Sequence, residues 1–235
     1  MAAVFKRELK SYFTSVLGFV YLAVFYFFAG LYFYLICLSV YGTSNLMYVF
    51  LNLFTIALFI TPILTMRMWS EDKKQKTDQV LFTAPVSILS ITLGKYFAAL
   101  LVYTMAISST LVFAVIVSIF STLAWSTTLL SFFGLFLIGA AFIAIGMFLS
   151  SITENQLISA VLTFATGFFI LMMDSIPSFF NVEIITTVFN WLSFSNHYTN
   201  FMVGILSIPD TVFYLSVAVL FIFLNVRVFE KKRWA

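Results

Sequence analysis

The chain has 235 residues, 63% hydrophobic and 20% aromatic, and only 9% charged; its mean hydropathy is +1.10. A soluble domain of this length needs far more charge on its surface, so composition excludes one and points to a polytopic helical membrane protein. The net charge of +3 does not argue for nucleic acid, because the basic residues flank apolar runs and topology accounts for them.

Lys6, Arg7 and Lys10 precede the first apolar stretch, an arrangement shared with signal peptides. The stretch from about Val16 to Val40 is too long for a signal core and lacks a small-x-small cleavage site, so it reads as a retained span. It holds the only cysteine, Cys37, which rules out an intrachain disulfide and a cysteine-based metal site. Crossing roughly 30 Å of hydrocarbon takes about 20 apolar residues. By that rule six spans are expected, near 16–40, 46–68, 94–120, 127–150, 156–174 and 211–229. The fold class is all-α, because helices satisfy their backbone groups inside lipid and open strands do not.

All Lys and Arg fall into three clusters: Lys6, Arg7 and Lys10; Arg67, Lys73, Lys74, Lys76 and Lys95; and Arg227, Lys231, Lys232 and Arg233. Six spans put all three on one side, which the positive-inside rule makes cytoplasmic, with both termini. Five or seven spans would place the last cluster outside.

The second cluster belongs to a charged island, Glu71-Asp72-Lys73-Lys74-Gln75-Lys76-Thr77-Asp78, in a chain with no Asp, Glu, Lys or Arg from Ser11 through Met66 or from Tyr96 through Thr153. Its plain reading is a solvated loop. Against that, the Arg67–Lys95 connection is long for a loop and carries acids that the positive-inside rule does not require. Ser70 is expected to cap a helix running to Phe82, with Glu71 and Asp72 in its first turn, before Ala84-Pro85 breaks it. Such a helix would be presented to a partner.

The long segment 175–210 has no basic residue and many apolar ones, with Ile184, Ile185, Val188, Trp191 and Leu192 at helical spacing. Short helices at or dipping into the outer interface are expected, with an incomplete span or re-entrant hairpin as the alternative.

Catalytic signals are missing: the chain has no His-Glu-x-x-His, no Gly-x-Ser-x-Gly and no acid pair within a span. His197 is the single histidine and reads as an interfacial polar residue. Gly94-Lys95 lacks a preceding glycine loop, so no P-loop is present. Asn52, Thr55, Thr61, Thr104, Ser108, Ser109, Thr110, Thr163 and Thr166 lie inside spans; the plain reading is interhelical hydrogen bonding, the functional one a polar path. Ala140 and Ala144, four apart in Gly139–Gly146, allow close helix approach within the chain or between copies.

The stretch Thr61-Pro62-Ile63-Leu64-Thr65-Met66-Arg67, then Glu71-Asp72, Thr77-Asp78-Gln79-Val80-Leu81, Pro85-Val86 and Gly94-Lys95 resembles ABC-2 type transporter permeases, of the branch typified by the gliding-motility permease subunit. That family tends to show Pro-x-x-Thr-Met-Arg, an acidic pair, Gly-Thr-x-Glu-x-Leu-Leu, Pro-Val, and Gly-Lys opening the third span. Here Asp72 and Asp78 replace the usual glutamates, Lys76 the usual glycine and Val80 a leucine. Phe5-Lys6-Arg7-Glu8-Leu9 and Ser150-Ser151-Ile152-Thr153-Glu154-Asn155-Gln156 also match, so the resemblance covers nearly the whole chain as one transmembrane domain, 1–235.

The resemblance implies a membrane subunit, not an enzyme, in the cytoplasmic membrane of a bacterium. It would pair with cytoplasmic ABC ATPase subunits that bind ATP and Mg, and with a second copy or a homologous permease. It implies an interface helix at 1–15 with Lys6, Arg7 and Glu8, and a coupling loop at 69–93 whose contact is Glu71, Asp72, Lys73, Lys74, Lys76, Thr77 and Asp78. A second cytoplasmic contact at Glu154, Asn155 and Gln156 and an outer hairpin at 175–210 complete the plan. Lipids are expected partners, and an outer accessory protein is compatible with it. The rival is a self-contained passive channel or polytopic assembly factor with no ATPase.

Overall fold

The computed structural model describes residues 1–39, 46–77, 86–176 and 183–234. The described residues are helices and short connections, with no strand among them. In chain order they are α1 (Ala2–Thr14), α2 (Val16–Phe33, continued as a π-helix over Tyr34–Ser39), α3 (Met47–Thr65), α4 (Ser70–Lys74), α5 (Ile88–Ile107), α6 (Ser109–Phe120), α7 (Trp125–Ile152), α8 (Gln156–Met172), α9 (Glu183–Leu192), α10 (Phe194–Met202) and α11 (Ile208–Trp234).

Among the described residues, five helical stretches are long and apolar enough to cross a membrane: Val16–Leu38, Met47–Lys74, Ile88–Phe120, Trp125–Ile152 and Ile208–Lys231. The stretch expected at 156–174 is α8, apolar but only 17 residues, or about 25 Å at 1.5 Å per residue. The third stretch starts at Ile88, ahead of the expected 94, capped by the Ser87 hydroxyl on the Ser90 amide. That early start carries Lys95 into the body of a helix. At Ser108 the stretch is interrupted, where the Ser108, Ser109 and Thr110 hydroxyls bond the Met105, Ala106 and Ile107 carbonyls.

α7 is the central helix: Leu137 through Met147 is buried without a break, and α3, α5, α8, α10 and α11 pack around it. A helix apolar on every side can be covered only that way. Its small residues are spent within the chain, since a Cβ on Gly139 would meet the Tyr103 ring of α5 at 2.1 Å. Pro62 cannot donate to the Leu58 carbonyl one turn back; Gly167 of α8 packs there, and a Cβ on it would lie 3.1 Å from that oxygen.

Among the described residues, several of the hydroxyls expected to bridge helices turn back on their own helix, while Thr92 donates across to Asn225. Thr61, Thr104, Thr163 and Thr166 each donate to the carbonyl four residues back in their own helix, and the Asn52 amide does the same to Tyr48. A short hydroxyl reaches its own backbone more readily than a neighbouring helix. Tyrosines, with a longer reach, make the cross-links: Tyr12 to the Leu64 carbonyl, Tyr96 to Ala140, Tyr103 to Leu135 and Tyr214 to Phe194. One buried amide joins them, Asn225 of α11 donating to the Met147 carbonyl at 3.2 Å and facing Thr92.

The segment expected to hold short helices does so in α9 and α10. α10 lays Phe194, Tyr198, Phe201 and Met202 against the bundle, with the Tyr198 hydroxyl on the Ser131 carbonyl at 3.2 Å. A Cβ on Gly134 would touch Phe201 and Tyr198, so the contact reaches about 13 Å along α7 from its start. Residues 177–182, which include Pro177, Phe179 and Phe180, lie outside the described residues.

Candidate functional site

Among the described residues, two of the concavities bear on the choice of site. One, of about 380 Å³, is lined by Leu46, Phe50, Thr127, Thr128, Ser131 and Met202; the Thr127 and Thr128 hydroxyls are turned back on the Ala124 carbonyl. The other, about 230 Å³, lies at the basic end between α1, α4 and α5 and is lined by Arg7, Glu8, Ser11, Arg67, Glu71, Asp72, Gln75, Thr77 and Lys95. Only the second gathers convergent charged groups, which makes it the candidate site.

Lys95 is its centre. The side chain is 2% exposed, yet its ammonium meets Asp72 Oδ2 at 2.7 Å, Glu8 Oε1 at 3.1 Å and the Met68 carbonyl at 2.7 Å. The ammonium thus donates to Glu8 and Met68 and has the Asp72 carboxylate beside it as a counter-charge, and the Trp69 ring lies 5.0 Å away. Such pairing is what makes a buried ammonium tolerable, since desolvation costs several kcal/mol when uncompensated. The three partners come from α1, from the segment after α3 and from α4, so a single side chain on α5 binds all of them. Gly94 lets this happen: a Cβ there would lie 3.0 Å from the Val4 side chain and 3.2 Å from the Met1 carbonyl. The Gly-Lys pair therefore works as a unit, one residue admitting α1 and the next anchoring it.

Arg67 makes a second clamp. Its Nε meets Glu71 at 2.9 Å, while its terminal nitrogens donate to Ser15 at 2.7 Å and Ser11 at 2.6 Å. The guanidinium sits 5.5 Å from the Tyr12 ring; burial pushes the Tyr12 phenol above its usual range, and its hydroxyl donates to the Leu64 carbonyl at 3.0 Å. Arg7 pairs with Glu8 at 2.6 Å and reaches Asp72 at 4.0 Å. Burial opposes its charge, but the hydrogen bond to Glu8 and the charges of Glu8 and Asp72 outweigh burial and hold its proton more tightly than usual.

The island residues thus divide into two sets. Asp72 and Lys73 turn inward, Lys73 donating to the Ser151 carbonyl with the Phe229 ring 5.7 Å off. Thr77 donates to Asp72 Oδ1 at 2.9 Å. Lys74, Gln75 and Lys76 are exposed, and Glu71 is partly so. Asp78, and with it 79–85, lies outside the described residues. The helix expected from Ser70 to Phe82 is observed over Ser70–Lys74. Ser70 is not its cap: its hydroxyl donates to the Met66 carbonyl. The cap comes from another helix, because Ser150 Oγ of α7 accepts the Trp69 and Ser70 amides, both at 3.1 Å.

On α1, Lys6 is exposed and Arg7 half-exposed, while Glu8 turns into the cleft. At the α7–α8 turn Glu154 and Asn155 are exposed, and the Asn155 side chain caps α8 at the Leu157 amide, 2.9 Å. Lys73 on Ser151 links α4 to the end of α7 close to this turn. Sequence reading left Lys95, Arg67, Ser11 and Ser150 out of the candidate site, although the first two stand in the quoted motif.

Lys76, where the resemblance has glycine, has φ 57°, in the left-handed region that costs a non-glycine residue about 1 kcal/mol or more. Lys76→Gly is expected to raise thermal stability by up to about 1 kcal/mol, read as a higher midpoint in detergent; an unchanged or lower midpoint would show that the turn carries no such strain.

No protein-family model matches the chain, and no curated protein matches it significantly.

Proposed function

We propose that this chain is the membrane-spanning permease subunit of an ATP-driven ABC exporter, transmitting the closure of a partner ATPase to the bundle for export or for mechanical work. The observation that carries the reading is the Lys95 cluster. It ties α1, the turn after α3, α4 and α5 together through buried charge, so force applied to α1 or α4 reaches the apolar helices behind them. Such an element can bias a bundle between two arrangements. The exposed Lys6, Lys74, Gln75 and Lys76 then form the partner-facing rim, while Asp72 and Lys73 carry load inward. Under this reading α8 is the sixth span, its short length met by local thinning of the bilayer. Both termini and the cluster face the cytoplasm by the positive-inside rule, and α9–α10 form a re-entrant outer hairpin.

Because Asp72 is paired with Lys95, reversing its charge would damage the fold as well as any coupling. The cleaner test is Lys74→Glu with Lys76→Glu, on exposed side chains. The double variant is expected to insert and unfold like the wild type, while ATPase activity of the purified complex falls to that of the free ATPase. A native complex with no nucleotide-hydrolysing subunit would favour a passive channel or an assembly factor, and unchanged ATPase activity in the variant would remove the rim from the coupling contact.

A further inference from the structure

At the end of the bundle opposite the Lys95 cluster lies a histidine–carboxylate pair, largely enclosed. His197 of α10 and Asp210 of α11 approach with Nδ1 and Oδ1 2.5 Å apart, and their side chains are only 14% and 7% exposed. The other ring nitrogen, Nε2, lies 3.0 Å from the Trp191 carbonyl at the end of α9. The second Asp210 oxygen accepts from the Asn200 amide at 2.7 Å. The ring stacks on Phe213 at 4.1 Å.

Carbonyl and carboxylate oxygens only accept hydrogen bonds, whereas a neutral imidazole has one N–H to give. Both contacts are satisfied only when the pair holds one proton more than neutral histidine plus carboxylate. Without it, a nitrogen lone pair must face either Asp210 or the Trp191 carbonyl, and one acceptor loses its donor. The neighbouring titratable groups are Tyr214, whose ring centroid is 6.4 Å from that of His197, and Asp174, which accepts from Ser193. The chain has no Lys or Arg from Tyr96 through Val226. His197 is thus the one side chain over that whole stretch able to carry a compensating positive charge.

We infer that the His197–Asp210 pair is a proton-binding site that latches α9 to α10 and α11. With the proton bound, the ring donates to both sides and the three helices are joined. When it leaves, the shorter contact to Asp210 keeps the remaining N–H and the Trp191 carbonyl is released, leaving the C-terminal end of α9 held by the longer Asn196–Asn190 contacts. The latch would respond to the pH at that end, independently of whatever acts on the Lys95 cluster.

His197 is the only histidine, so protein labelled with ¹⁵N-histidine in nanodiscs gives one imidazole to follow by NMR. Its nitrogen signals are followed between about pH 5 and pH 8, the interval in which histidine switches act, and a change of proton occupancy there is the expected result. Hydrogen exchange of 183–192, corrected for intrinsic rates, should rise about tenfold over the same interval, as expected for the loss of one hydrogen bond. In His197→Gln that pH response should vanish. A ring fixed in one state across the range, or α9 exchange with the same pH response in both proteins, overturns the proposal.

Discussion

Lys95→Met is expected to lower the stability of the bundle by about 3 kcal/mol, because it strands the mostly buried Asp72 carboxylate and removes one of the two cations beside Glu8. Asp72 and Glu8 face the Lys95 ammonium at 2.7 and 3.1 Å, and methionine fills similar space without a donor. Arg7 would still neutralise Glu8 at 2.6 Å, but at 4.0 Å from Asp72 it cannot replace the lost contact. Neutralising the stranded partners separates fold from function. Lys95→Met combined with Glu8→Gln and Asp72→Asn should recover most of the stability, since a buried ion group and its uncharged replacement are often close in free energy. Unfolding in mixed detergent measures the first effect, and ATPase stimulation in the reconstituted complex the second. Recovery of stability without recovery of stimulation makes the charges part of the coupling element; recovery of both makes the cluster a structural bolt only.

The physics of the membrane made the helices legible in sequence and hid the site. Runs without charge mark apolar helices because a charge in hydrocarbon is costly wherever it lies in the chain, and so α2, α3, α7 and α11 fall close to their expected places. The ends were harder to read. Ile88 begins a helix six residues before the expected span because hydropathy registers where lipid starts, while Ser87 capping decides where the helix does. The island was legible as a cluster of charge but not as two layers. Whether Asp72 faces a partner or Lys95 depends on α1 lying across Gly94, a contact between residues far apart in sequence. Ser150 capping α4 is hidden for the same reason: a local pattern nominates Ser70, and tertiary structure supplies a better-placed hydroxyl. His197 also reads as solitary until folding brings Asp210 to it, thirteen residues on.

Gly139→Ala is expected to damage the apolar bundle severely, costing about 3 kcal/mol, at the upper end for overpacking. The added carbon would lie 2.1 and 2.2 Å from two atoms of the Tyr103 ring. That ring is fully buried and its hydroxyl is tied to the Leu135 carbonyl at 2.7 Å. Leu135 sits one turn before Gly139 on the same helix, so moving the ring off the glycine also pulls the hydroxyl off its acceptor. The two losses are therefore coupled and should not add as independent changes. Gly30 is the control: a Cβ there meets nothing within 4 Å, so Gly30→Ala should leave the unfolding midpoint unchanged or raise it slightly through helix propensity. In lipid no hydrophobic force draws helices together, and close packing with hydrogen bonds must hold them. Equal midpoints for the two variants would mean that α5 and α7 are not held at the Tyr103–Gly139 contact. A large drop for Gly139→Ala, partly relieved by Tyr103→Leu, would identify that contact as the one that fixes α5, and with it Gly94 and Lys95, against the central helix.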